Sequence, residues 1–198
     1  MGAPNTVAIT VKRIVEDYDG KPAMGVCSNF LCDLAPGAKI HLAGPFGAIF
    51  LMPDDPAAIL VMICTGTGIA PMRAMIERRR RVACEAGMTL FYGGRTSGEM
   101  PYLEDLQALS PSFLDLNIAL SRQPGQSKVY AQDLIGAKAT RIAALLQNDN
   151  TYFYICGSKG VERGVLDAFQ NICMLLGLDW PAIRQDIANK ARLHIEVY

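Results

Sequence analysis

The amino-acid sequence predicts an α/β protein: a doubly wound parallel sheet preceded by a short antiparallel β region. Three observations carry this. From residue 56 onward, continuous apolar runs alternate with helical stretches, and a turn rich in glycine or polar residues follows each of the first four runs. Before that point the rhythm is different, and "LMPDDPAAI", with Pro53, Asp54, Asp55 and Pro56, breaks both helix and strand between the two. The expected domains are therefore 1–55 and 56–198.

In the first region "TVAITVKRIV" (6–15) alternates apolar and polar residues, as a half-buried antiparallel strand does. "DYDGKPA" turns the chain, "CSNFLCDL" reads as a short connector helix, and "AKIHLAGPFG" (38–47) reads as another strand ending in Gly/Pro turns. About 55 residues hold a few strands and one helix, but they are thin for an independent domain.

In the second region "AILVMIC" (58–64) is apolar throughout, like a strand buried on both faces. "APMRAMIERRRRVACEAG" (70–87) is helical, "MTLFYGG" a strand, "YLEDLQALS" helical and "FLDLNIALS" a strand. "AQDLIGAKATRIAALLQN" (131–148) reads as one helix, "TYFYICG" as a strand and "GVERGVLDAFQNICMLLG" as a helix. A helix around "PAIRQDIANKA" and the strand "RLHIEVY" close the pattern. The run Arg78–Arg81 reads as a solvated helix face, with partner docking as the other reading.

Composition narrows the function classes. Nineteen basic and nineteen acidic side chains cancel, so no bulk field favours nucleic acid or an anionic membrane. No apolar run reaches the roughly 20 residues of a membrane helix, and "MGAPNTVAIT" lacks the apolar core of a secretion signal. The six cysteines (27, 32, 64, 84, 156, 173) include no C-x-x-C, and the two histidines stand far from them in sequence, so no metal site is expected. Reduced thiols, mostly buried, and a cytoplasmic location are the expectation.

Open parallel sheets bind ligands beyond the carboxyl ends of their strands, and four turns lie there. "TGTGIAP" offers Thr67 and Gly68 before a helix start, where backbone can approach an anion; a routine helix start is the plain alternative. "GGRTSGEMPY" projects Arg95 after Gly94, as a ligand cation or as a surface loop. "SRQPGQSKVY" is the most informative, with Ser121 and Arg122 at a strand end and Lys128 and Tyr130 returning soon after. One hydroxyl, two cations and one ring suit a phosphate monoester beside a purine; a basic solvated loop is the alternative. "CGSKG" is a tight strand-to-helix turn at Cys156, Gly157 and Ser158. Together the four fit NADP(H), whereas NAD(H) leaves the cation pair without its charge.

With these residues in place, the chain resembles the plant-type ferredoxin–NADP reductase family over nearly its whole length. "GVCSNFLCDLAPG", "GPFG", "TGTGIAP", "SR…KVY", "YICGSKG" and the terminal "HIEVY" recur in the family's order. Within it, "ICTGTGIAPMRAMIERRRR" and "NTVAITVKR" are most similar to the reductase component (component A) of benzoyl-CoA epoxidase. The resemblance implies an antiparallel FAD-binding barrel, here only partial, followed by an NADP-binding α/β domain. It implies that Val26, Cys27 and Ser28 meet the FAD pyrophosphate and that Thr10, Val11 and Lys12 lie along its ribose and adenine. Glu16 stands where relatives carry an aromatic adenine cover, with Tyr18 nearby.

On the nicotinamide side the resemblance places Thr67, Gly68, Gly94, Arg95, Ser121, Arg122, Lys128, Tyr130, Gly157 and Ser158 along NADP. Cys156 and Glu196 would flank the nicotinamide, and Tyr198 would stack on the flavin. From the residues alone, Cys156 is a core cysteine and "EVY" a chain end. The implied activity is hydride exchange between NADPH and flavin, with electrons passed to a ferredoxin-like iron–sulfur domain or an oxygenase component.

The family's R-x-Y-S motif occurs nowhere in the chain, and Cys64 stands at the first glycine of G-T-G-T-G-I-A-P. The chain is therefore expected to be a fragment of a longer reductase that holds FAD poorly. Two rivals stay open: a non-catalytic NADP-binding module, and an unrelated nucleotide-dependent transferase on the same architecture.

Overall fold

A computed structural model describes residues 6–19, 21–44, 50–84 and 86–198, with the side chains of 16–18 excepted. The Gly/Pro turn at 45–47 and the side chains of Glu16 and Tyr18 thus lie outside the described residues. The chain separates into two compact units, Met1–Gly47 and Ala48–Tyr198, a break slightly earlier than the expected 55/56 boundary.

The first unit contains one antiparallel hairpin, β1 (Val15–Tyr18) with β2 (Lys21–Met24), and the helix α1 (Val26–Asp33). The hairpin turn and α1 fall where the sequence places them. The two expected strands do not form: residues 6–14 and 38–44 carry no strand, and only Val15 of the first run enters β1. The physical reason is pairing. A strand exists through its ladder, and among the described residues these segments have no ladder partner, so Val7, Ile9 and Leu42 stay exposed.

The second unit is a five-stranded parallel sheet in the order β5-β4-β3-β6-β7. Its elements are β3 (Ile59–Thr65), α2 (Ile69–Arg81), β4 (Met88–Gly94), α3 (Leu103–Gln107) and β5 (Asp115–Leu120). Then follow α4 (Ala131–Ala137), α5 (Ala139–Gln147), β6 (Thr151–Gly157), α6 (Lys159–Leu175), α7 (Trp180–Asn189) and β7 (Leu193–Val197).

The apolar run of β3 is explained by its central place, paired in parallel with β4 and with β6. Alternate residues feed opposite layers: Val61 and Ile63 pack with the α4–α7 side. Leu60, Met62 and Cys64 pack with α2 and α3. Phe50–Met52 belong to this unit, since the Tyr154 hydroxyl donates to the Leu51 carbonyl at 2.7 Å. Phe50 also meets the Tyr154 ring edge-on, and His194 stacks on that ring at 4.7 Å.

Two helices differ from expectation. α2 stops at Arg81 instead of running to 87, because Ala83 takes a left-handed φ of 49°. That turn lets the Cys84 N–H close back on the Arg79 carbonyl at 3.1 Å, a helix-ending bond spanning one residue more than the helix ladder. The stretch 131–148 is two helices, broken at Lys138 (φ −106°, ψ 30°), whose ammonium reaches Asp115 at 2.9 Å. Gly136, two residues earlier, weakens helix continuation there.

The arginine run is not uniformly solvated. Arg78 pairs with Asp54 and Arg80 with Glu77, but Arg79 is 1% exposed. None of its three guanidinium nitrogens has a hydrogen-bond partner among the described residues. A buried cation without a hydrogen bond is costly, and a similar-sized apolar side chain avoids that cost. Replacing Arg79 with Met is expected to raise stability by about 1–4 kcal/mol, read as a higher melting temperature. A lower one would show that Arg79 is compensated after all.

Candidate functional site

All four turns singled out in the sequence lie at the carboxyl edge of the parallel sheet, at the ends of β3, β4, β5 and β6. Their glycines are there for close approach. A methyl on Gly68 would overlap the Cys156 carbonyl, and Gly157 has φ 144° with a methyl there overlapping the Thr65 hydroxyl. The β3 and β6 turns therefore touch backbone to backbone, which no larger residue permits.

The chain's last residues close this corner. β7 pairs with β6 so that Glu196 is the register partner of Cys156, on the same face of the sheet. The Tyr198 N–H donates to the Gly157 carbonyl at 3.0 Å, and its phenol shares a 2.6 Å hydrogen bond with the Thr67 hydroxyl. Tyr198 is nonetheless 63% exposed, a ring resting on the glycine turn with little to hold it. Thr67, Gly68, Cys156, Gly157, Ser158, Glu196 and Tyr198 thus form one cluster. The N-terminus of α6, a 17-residue helix with no side-chain cap, begins beside it.

Burial, and secondarily the negative charge of Glu196, push the Cys156 thiol up to about 11. At neutral pH it is a neutral thiol and a small apolar surface, not a nucleophile. Iodoacetamide alkylation at Cys156 is accordingly expected to climb about tenfold per pH unit between 7 and 10. Peptide mass spectrometry follows it, and a plateau near pH 8–9 would contradict the buried environment.

The second cluster is formed by the β4 and β5 turns. Past the strand ends, Ser121 N–H donates to the Gly94 carbonyl at 3.0 Å and Arg122 N–H to the Arg95 carbonyl at 2.8 Å. The Ser121 hydroxyl also donates to the Gly94 carbonyl, at 3.2 Å. The loop returns through Val129, whose N–H meets the Leu120 carbonyl at 2.9 Å, so Lys128 and Tyr130 come back beside Ser121. Arg95, Arg122 and Lys128 are exposed, and none pairs with a carboxylate among the described residues. Three cations from two adjacent turns face solvent without an internal counter-charge, which is the electrostatic setting of an anion site.

Two residues of this cluster escape sequence reading. Asp133, in the first turn of α4, accepts the Tyr130 N–H at 2.7 Å, and Gln123 accepts the Ser97 N–H at 3.1 Å. Asp133 carried a readable signal, an acid three residues after a helix-starting position. Gln123 carried none.

The remaining candidates, Thr10, Val11, Lys12, Val26, Cys27 and Ser28, belong to the first unit. Thr10–Lys12 lie in irregular chain, and Val26–Ser28 form the first turn of α1. The Ser28 hydroxyl is committed to local backbone, donating to the Gly25 carbonyl at 3.2 Å and accepting the Ile14 N–H at 3.1 Å. Asn29, 7% exposed and unmarked in the sequence, fastens the same corner to the Ile14 and Gly25 carbonyls at 2.8 and 2.7 Å. Arg13 joins it to Asp33, whose carboxyl the guanidinium hydrogen bond holds below its usual range. Cys27 and Cys32 are exposed, against the expectation of burial, while Cys64, Cys156 and Cys173 are buried.

Comparison with known proteins agrees with the second unit. The family model "Oxidoreductase NAD-binding domain" matches residues 62–167. The chain is 36% identical over its full length to the chloroplastic ferredoxin–NADP reductase of Spinacia oleracea, of which it covers 57%. It is 36% identical to the leaf-type isozyme of Nicotiana tabacum and 35% to the cyanelle enzyme of Cyanophora paradoxa, covering 58% of each. The chain thus spans a little over half the length of these curated relatives.

Proposed function

Since the chain belongs to the oxidoreductase NAD-binding domain family, we propose that it is the NADPH-binding module of a flavin-dependent electron-transfer reductase of the ferredoxin–NADP reductase type. The observation that carries the reading is the pair of clusters along one sheet edge. One is the pair of glycine turns after β3 and β6, packed backbone to backbone at the start of α6; the other is a group of three cations with no carboxylate partner among the described residues. A dinucleotide with a pyrophosphate and a separate phosphate monoester fits both.

In this reading Arg122 and Lys128 meet the monoester charge, Ser121 hydrogen-bonds it by turning its hydroxyl away from the Gly94 carbonyl, and Tyr130 stacks on the adenine. Arg95, Gly94 and the turn at Thr67–Gly68 line the pyrophosphate. Gly157 and Ser158 bring the nicotinamide end against Cys156 and Glu196. NADPH supplies the hydride, from C4 of its nicotinamide. The protein's own contribution is positional. Cys156 presents a neutral, compact wall, Glu196 a carboxylate on the same face, and Tyr198 a ring that yields its hydrogen bond to Thr67 when the nicotinamide enters.

The flavin side fits less well. Thr10–Lys12 and the α1 first turn at Val26–Ser28 are the residues available for FAD. The Ser28 hydroxyl is already used by backbone, and no Arg-x-Tyr-Ser occurs in the chain. These residues alone do not make a flavin site. That favours a second reading, an NADP-binding module without flavin chemistry of its own. The electron acceptor in the first reading is a ferredoxin-like iron–sulfur domain or an oxygenase component such as that of benzoyl-CoA epoxidase. Six free thiols suit a cytoplasmic, reducing setting.

Calorimetry of NADPH binding, together with the visible spectrum of the purified chain, separates the readings. NADPH binding with a yellow flavin band supports the reductase, and binding without it supports the bare module. Absence of binding sinks both.

A further inference from the structure

We propose that Gln123 is a positioning residue: it sets the spacing between the Arg95 turn and the Arg122 turn, and through it the preference for a 2′-phosphorylated nucleotide. The ligand part rests on the function proposed above; the clamp itself rests only on the hydrogen-bond pattern.

β4 and β5 end at Gly94 and Leu120, yet their pairing continues beyond both. Ser121 N–H bonds to the Gly94 carbonyl and Arg122 N–H to the Arg95 carbonyl, so two rungs follow the last strand residues. Main-chain pairing then stops. The Gln123 side chain takes over the next position, its Oε1 accepting the Ser97 N–H at 3.1 Å. Gln123 is half-buried between exposed Arg122 and Pro124, as a side chain turned toward the neighbouring turn should be. Ser97 opens a single helical turn, Ser97–Glu99, whose preceding residue Thr96 provides no side-chain cap. Gln123 supplies, from a different strand end, an acceptor for the first amide of that turn.

The consequence is geometric. Arg95 is joined to Arg122 through main chain and Ser97 to Gln123 through a side chain, so the turn is held on both sides of Thr96. Arg95 and Arg122 then project from adjacent points whose separation is fixed. With Arg95 at the pyrophosphate and Arg122 at the monoester, the fixed spacing presents Arg122 to the monoester without reorganisation, and a ligand lacking that dianion gains little from the arrangement. An acceptor is all that position 123 needs to provide. Glutamate can serve, whereas alanine leaves the Ser97 N–H to water.

The test compares the wild-type chain with Gln123→Ala and Gln123→Glu. Hydrogen–deuterium exchange at the Ser97 amide is expected to speed up about threefold to tenfold in Gln123→Ala and to return toward wild type in Gln123→Glu. Calorimetric affinity for NADP+ should fall by a similar factor in Gln123→Ala, with NAD+ changed less than about twofold; Gln123→Glu is read by Ser97 exchange alone, because its carboxylate adds a counter-charge to the anion site. Unchanged Ser97 exchange overturns the clamp. Faster exchange with equal losses for the two nucleotides overturns its part in specificity. A wild-type chain without preference between NADP+ and NAD+ would also overturn the specificity claim, and would count against the nucleotide reading itself, while Ser97 exchange still decides the clamp.

Discussion

Replacing Arg122 and Lys128 together with alanine is expected to weaken NADPH binding about a hundredfold or more, while NADH binding changes less than about threefold. Each charge-assisted hydrogen bond to a phosphate contributes roughly 1.5–3 kcal/mol, and every 1.4 kcal/mol is tenfold in affinity. Both side chains are exposed, so salt and water screen them and the lower end of that range applies. Two bonds at that lower end give about two orders of magnitude. The selectivity follows from chemistry, because NADH has a hydroxyl where NADPH has the monoester. Isothermal titration at low and high salt checks both parts. The NADPH advantage of the wild type should shrink as ionic strength rises, and the double variant should show little salt dependence. Equal loss for the two nucleotides would remove the monoester from Arg122 and Lys128.

Arg192→Ala is expected to cost about 3–5 kcal/mol of stability, which for a chain of this size lowers the melting temperature on the order of 10 °C. Arg192 is 1% exposed at the start of β7. Its guanidinium donates to the Asn148 and Thr151 carbonyls at 3.0 and 3.1 Å and to the Leu146 carbonyl at 3.4 Å, and it pairs with Asp186 at 3.1 Å. One side chain therefore satisfies carbonyls at the end of α5 and the start of β6, and ties both to α7. Alanine would leave buried carbonyls without partners and open a cavity. Lysine keeps the charge but cannot fork across several acceptors, so Arg192→Lys should recover only part of the loss. Thermal unfolding by circular dichroism decides it; a shift under about 2 °C would mean that the carbonyls find water instead. The opposite sign expected for Arg79→Met makes the contrast instructive. Both arginines are buried, and the carbonyl hydrogen bonds and Asp186 ion pair of Arg192 separate the useful one from the costly one.

Much of the second unit was legible because its signals are local. "AILVMIC" and "TYFYICG" are unbroken apolar runs, and such runs form strands only where both faces are covered. The glycines of "TGTG" read as room for an anion, whereas the approach the structure shows at Gly68 is to the Cys156 backbone. Illegible features depend on partners distant in sequence. Helical spacing from Met72, Met75 and Ile76 puts Arg79, unlike Arg78 and Arg80, on the apolar stripe of α2, a signal masked by four consecutive arginines. Asn29 looks like any helix polar residue until Ile14 and Gly25 turn their carbonyls to it. The strand expected at 6–15 had the right alternation, but alternation describes a face and not the neighbour that makes a ladder. At the site, residue types were readable and their linkage was not. Arg95 and Arg122 could each be picked out, but the main-chain bond joining their turns has no sequence signature.

Strand order also governs how the sheet can assemble. β3 sits in the middle, yet its two neighbours arrive at very different times: β4 follows after one helix, whereas β6 comes only after everything from α2 to α5 has been made. A nascent or refolding chain can therefore build β3-β4-β5 as a local half while one edge of β3 stays open. That edge is apolar and flat, with unpaired N–H and C=O groups, and it can recruit a second chain as readily as its own β6. Refolding yield should consequently fall with protein concentration, as kinetic competition between intramolecular closure and aggregation at a single exposed strand.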